Sequence, residues 1–164
     1  MTENATLNRQ LTHMAWANTQ MFTVLTALPV DALAFTSPGS EWSVGAIAHH
    51  LVTAAENYAQ RLHGELRAEK RELPATIADL AELVAAVKAA DAKLRAGAQL
   101  PGHEIITWIS FSGEEISVPR WVLVNQAVHH ATEHRAQIAG ALAAHGNTSL
   151  DLDALDVWTY NDGL

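Results

Sequence analysis

Apolar positions along the first part of the chain recur every three or four residues. Leu11, Met14, Ala15, Met21, Phe22, Leu25 and Leu28, with Asn18 among them, share one side of a helix, which predicts a first helix from Thr6 to Leu28. Pro29 and Pro38 bracket the loop that follows. Ser43 is a good N-cap for a second helix running to about Lys70. Thr76 can cap a third, from Ile77 to Ala96, with Leu80, Leu83, Val84, Val87 and Leu94 on one side and Gly97 and Pro101-Gly102 at its end. From Glu104 to Val118 the period changes to two. Ile105, Thr107, Ile109 and Phe111 alternate with Ile106, Trp108 and Ser110, Ser112-Gly113 reads as a turn, and Ile116 and Val118 resume the alternation. That pattern predicts a short β-hairpin. Pro119 suits the first turn of a fourth helix, which Gly146-Asn147 stops after His145. The tail from Asp151 to Leu164 carries Leu152, Leu155, Trp158 and Tyr160 and reads as a short helix or an extended segment. The expectation is an all-α four-helix bundle with a short β-hairpin before the last long helix, residues 1–164 forming a single domain.

Composition narrows the function. Apolar residues make up 49% of the 164, rich in Ala and Leu, which suits a bundle. No apolar run approaches the ~18 residues of a membrane span. The N-terminal residues have neither the basic patch nor the apolar core of a signal peptide, so a cytoplasmic location is expected. The formal charge is −8 with scattered Lys and Arg, whereas nucleic-acid binding calls for a concentrated basic surface. Neither a membrane nor a nucleic acid is therefore an expected partner. There is no cysteine, so any thiol in the chemistry arrives with a substrate or cofactor.

Nine histidines are many for this length, and helix phase sorts them. In the fourth helix Ala127, Ala131, His134, Ile138 and Ala141 share a face that also takes in His130. His129 points about 100° away, along a polar stripe with Gln126, Glu133 and Gln137. In the second helix His50 falls on the face of Ile47, Leu51, Ala54, Tyr58 and Leu62, while His49 aligns with Thr53, Glu56 and Gln60. Two separate phase arguments thus select His50, His130 and His134. Histidines four apart on one helix can grip one divalent ion, and a third from a facing helix leaves an open position, the mark of a catalytic rather than a closed site. The plainer reading is that each is a hydrogen-bonded core residue. Asn18 and Glu56 are the candidates for holding the second ring nitrogens. His13, His49, His63, His103, His129 and His145 read as surface or ordinary packing residues, with the loop of His103 able to fold over the bundle end. No catalytic residue is identified.

Known metal motifs narrow the choice further. A zinc protease has Glu directly after the first histidine, and here that residue is Ala131. The inner faces lack the paired carboxylates of a di-iron bundle. A two-histidine, one-carboxylate iron site would need Asp or Glu in place of His50.

With these residues placed, the chain resembles the DinB-like superfamily over most of its length. Ala15-Trp16-Ala17-Asn18 is similar to the family's opening motif, and Trp42-Ser43-Val44-Gly45 leading to His50-Leu51 resembles its second helix and first ligand. Gly113 to Pro119 resembles its hairpin approach. His130-x-x-x-His134-Arg135-x-Gln137 matches its most specific motif, with Ala136 where the family generally has Gly. The resemblance implies an up-down-down-up bundle, often a homodimer, that binds one divalent ion, commonly zinc or nickel, through His50, His130 and His134. It also implies thiol-dependent transferase or isomerase relatives that use mycothiol, bacillithiol or glutathione.

Three functions follow from these residues. The first is metal-activated transfer of an external low-molecular-weight thiol to a small-molecule electrophile, with Arg135 either binding an anionic substrate or forming a structural ion pair. The second is metal-dependent hydrolysis through bound water, for which no general base is placed. The third is a non-enzymatic metal-binding stress protein.

Overall fold

Side-chain caps set the starts of two of the main helices. The Ser43 hydroxyl accepts from the Ala46 amide and opens α2 (Val44–Leu62). Thr76 and Asp79 form a reciprocal capping box that opens α3 (Ile77–Gly97). The remaining long helices are α1 (Thr2–Ala27) and α4 (Arg120–Ala144), and the tail adds a 3-10 turn at Asp153–Leu155 and a short α5 (Val157–Asp162). This computed structural model describes residues 2–65, 71–100, 104–110 and 112–162. The predicted loop at His103 lies outside the described residues, as do Phe111 and the predicted end of the second helix at Lys70.

The second helix stops earlier than its sequence pattern implies. Gly64 adopts φ +65, and the amides of Gly64 and Glu65 turn back to the carbonyls of Arg61 and Gln60. That paired bonding is a Schellman stop, open to glycine because it carries no Cβ. Gly146, at φ +76, ends α4 in the same way, with its amide on Ala143 and that of Asn147 on Leu142.

The hairpin forms as expected. Strand β1 (Ile105–Ile109) pairs antiparallel with β2 (Glu115–Pro119), with Trp108 opposite Ile116. Ile106 turns inward while Ile105 and Ile109 face out, and Gly113 takes the left-handed turn position. Pro119 ends the strand and caps α4 rather than sitting in its first turn. Arg120, buried, ties this corner to α2 by donating to the Leu62 carbonyl and pairing with Glu104.

Helix directions follow from shared levels. Met14, Ala55, Leu94 and Ala127 surround one small cavity with Asn18, Leu51, Asp91 and Ala131. From the first set to the second, numbering rises in α1 and α4 and falls in α2 and α3. The bundle is therefore up-down-down-up, with α1 and α2 on a diagonal. Two apolar clusters fill it. One, around Phe22, Leu25, Val44, Ile47, Leu80 and Ile138, takes in the tail through Leu155; the other, around Leu11, Leu62, Leu94 and Leu123, takes in the hairpin through Ile106. Each fully buried large side chain stabilises the bundle by roughly 1.5–3 kcal/mol. Between the two clusters lies a belt of polar side chains.

Candidate metal centre

His50 from α2 and His130 and His134 from α4 meet in that belt. The Nε2 atom of His130 lies 3.1 Å from that of His50 and 3.0 Å from that of His134. One ligand atom from each ring lies within 4.8 Å of the others, a geometry able to hold one metal ion, and among the described residues no other His, Asp and Glu group of three does so. His134 is buried, and His50 and His130 are half-buried. The inward face of α2 is centred on Leu51, Ala55 and Ala59, so His50, Ala54 and Tyr58 occupy its edge rather than its middle. That edge keeps one side of the centre close to solvent.

The chemistry of the donor set fits a cation. His134 Nδ1 donates to Gln137 Oε1 at 2.7 Å, which in the neutral ring leaves Nε2 with a lone pair. His130 Nε2 carries at most one hydrogen and faces two nitrogens. That single in-plane site makes a linear hydrogen bond with only one of them. A divalent ion removes the conflict by accepting all three lone pairs. Ligand nitrogens at ~2.05 Å around a tetrahedral ion stand ~3.3 Å apart, near the two spacings seen here. Burial, then repulsion from the neighbouring imidazoles, lowers the pKa of His130 from 6.5 to about 4 and lowers that of His50. Both rings are thus held neutral, the state in which histidine binds metal.

Aromatic and amide groups flank the three rings. Trp42 stands edge-on to His50 at 4.9 Å and nearly parallel to His134 at 6.1 Å. Tyr58 meets His130 edge-on at 5.7 Å. Burial raises the Tyr58 pKa, opposed by its hydrogen bond with Gln126 and the nearby charge of Arg61. Gln137, read from sequence as part of one polar stripe with Gln126 and Glu133, borders the centre through its bond to His134. It was not read from sequence as that partner, although i and i+3 side chains meet on a helix and its spacing from His134 carried the signal.

Neither expected supporting residue touches a ligand candidate among the described contacts. Asn18 donates through Nδ2 to Asp91 Oδ2 at 3.1 Å and accepts from Arg135 Nη1 at 2.7 Å. Glu56 pairs with Arg71 at 2.8 Å. Asp91 and Arg135 are 2% and 4% exposed, so Arg135 is an interior residue, tied to Asn18 and Thr132. Burial pushes the Asp91 pKa up to about 6 against the Asn18 hydrogen bond, and pushes that of Arg135 down to about 10. The other described histidines fasten loops and helices: His13 on the Leu155 carbonyl, His49 on that of Arg71, His63 on that of Lys93, and His145 on Thr36. His49, expected on a solvated stripe, is half-buried by its contact. His129 is exposed.

A long-helix bundle with a histidine cluster between its second and fourth helices defines a class of helical proteins with a candidate metal centre. The model of the DinB family matches residues 1–162, and the chain belongs to that family. A crystal structure of a DinB-like protein from Bacillus cereus ATCC 10987 shares the fold, with a TM-score of 0.60 and 21% identity over 82% of this chain and 87% of that one. No curated protein matches the chain. Among the described residues no helix is long and apolar enough to cross a membrane.

Proposed function

We propose that this protein holds one divalent ion, zinc or nickel, on His50, His130 and His134, and that it transfers a low-molecular-weight thiol to an electrophilic small molecule. The observation that carries the reading is the convergence of three imidazoles, one with its Nδ1 hydrogen already committed to Gln137. When bound, the ion supplies acidity, bringing a thiol or water beside it to ionise near neutral pH. The chain contributes the remainder. Gln137 fixes the His134 tautomer, Trp42 and Tyr58 wall the centre on two sides, and no cysteine competes with the incoming sulfur. In the transfer the thiol proton passes to solvent, sulfur bonds to the electrophilic carbon, and the leaving group departs with its bonding pair. We further propose a cytoplasmic homodimer. Val157 and Trp158, 63% and 81% exposed beside a groove between α1, α4 and the tail, support a covered surface there.

A panel of thiols and electrophiles, assayed with the untagged protein before and after chelation, tests the activity. Turnover that requires both thiol and metal is expected. Turnover without thiol would instead favour hydrolysis through bound water. Metal binding that raises the melting temperature, with no turnover on any pair, would favour a non-enzymatic metal-binding stress protein. Light scattering on the same preparation tests the dimer.

A further inference from the structure

Beside His134 a groove of about 400 Å3 opens to solvent, lined by Ser37, Ser40, Trp42, Glu133 and Gln137. We propose that this groove recognises the positively charged, ammonium-bearing end of a small molecule. The inference deepens the functional reading above by naming a substrate class, and rests on it only for where the reacting end lies.

Four observations support a cation. Trp42 leans on His134 and His50 yet stays 45% exposed, so its indole offers open π surface, which attracts cations. Glu133, one residue before His134, is exposed, and its carboxylate has no ion pair or hydrogen bond with any described residue. Ser37, Ser40 and Gln137 add neutral oxygens that accept N–H bonds. Finally, exposed lysines and arginines are sparse in the segments that form the groove. The sequence has no Lys or Arg from residue 10 to 60 or from 136 to 164, and the two arginines of α4, Arg120 and Arg135, are 3% and 4% exposed. Among the described residues that line the groove, Glu133 carries the one fixed charge, and its sign favours a cation. A metal ion on the histidines repels a second cation. The recognised molecule thus sets its neutral or anionic reacting atom at the imidazoles and its ammonium on Trp42. A thiol whose far end bears carboxylates is disfavoured.

Three probes of nearly equal shape separate charge from size: tetramethylammonium, neopentyl alcohol and pivalate. Each is titrated into metal-free protein labelled with nitrogen-15, following the Trp42 indole N–H resonance, assigned by its absence in Trp42→Phe. Tetramethylammonium is repeated on zinc-loaded protein. A saturable shift with tetramethylammonium is expected, at least about tenfold stronger than with the alcohol and absent with pivalate. Glu133→Gln should weaken tetramethylammonium about tenfold, to the level of the alcohol. Equal binding of all three probes, or cation binding indifferent to Glu133→Gln, overturns the proposal. A parallel zinc titration keeps the two readings apart. Zinc binding without cation preference removes only the groove, and cation preference without zinc binding removes only the metal centre.

Discussion

Two polar clusters share the waist of this bundle, and they solve burial in opposite ways. Asn18, Asp91 and Arg135 are complementary: the Asn18 amide gives its hydrogen to a carboxylate and its oxygen to a guanidinium. Opposite charges stand at the two ends and an amide bridges them, so this cluster needs nothing from outside. His50, His130 and His134 are alike. Three similar rings aim the same atom at one point, and no protonation pattern satisfies every contact. The first cluster joins α1, α3 and α4 into a frame, and the second has the geometry to hold a cation. Complementary buried groups satisfy one another, whereas alike ones leave polar atoms in want of a partner.

The largest expected effect breaks the supporting cluster. Arg135→Ala leaves Asp91 buried without its countercharge and should cost about 3–5 kcal/mol in denaturant unfolding. His130→Ala in the metal-free protein should cost far less, because it removes a conflict. If His130→Ala proves the costlier, the contrast between the clusters is lost.

The clusters should also answer pH with opposite signs in the metal-free protein. Native Asp91 holds its proton to about 6 against 3.8 in the unfolded chain, so its contribution favours folding at low pH and is lost as pH rises through that window. The change corresponds to about 3 kcal/mol and should vanish in Asp91→Asn. Native His130 resists protonation down to about 4 against 6.5 unfolded, so its contribution is present above 6.5 and lost as pH falls toward 4. Unfolding free energies from pH 4 to 7 for wild type, Asp91→Asn and His130→Ala separate the two slopes. Slopes of the same sign would contradict the assignment.

A smaller effect is expected at Gln137. Gln137→Ala frees the His134 tautomer and should weaken zinc binding about 10- to 100-fold while leaving the metal-free unfolding midpoint nearly unchanged. The smallest lies away from both clusters. Gly64→Ala puts a Cβ at φ +65 and should cost about 1–2 kcal/mol, equally with and without metal. Unequal costs would tie the end of α2 to the centre.

Much of this was legible in the residues. The three-four rhythm of α1, the caps at Ser43 and Thr76 and the alternation around Trp108 are local signals, and each appears in the fold. Helix phase alone brought His50, His130 and His134 to one side. The end of α2 was missed because residues beyond Gly64 continue a helix-favouring composition, while the stop is a backbone conformation. Asp91 was missed because a lone carboxylate in an Ala-rich helix looks solvated until α1 and α4 cover it. Asn18 was rightly placed inward, but its partners come from helices distant in sequence. The role of Gln137 was hidden because one polar stripe on a helix can face water at one turn and a buried ring at the next.

Calorimetric titration of the untagged, metal-free protein with zinc and with nickel tests the central claim most directly, run beside the His50→Ala, His130→Ala, His134→Ala triple variant. One ion bound per chain by the wild type, with a raised melting temperature, and none by the folded triple variant, is the result the proposed metal centre predicts. Saturable binding that persists in the triple variant, or none in the wild type, would contradict it.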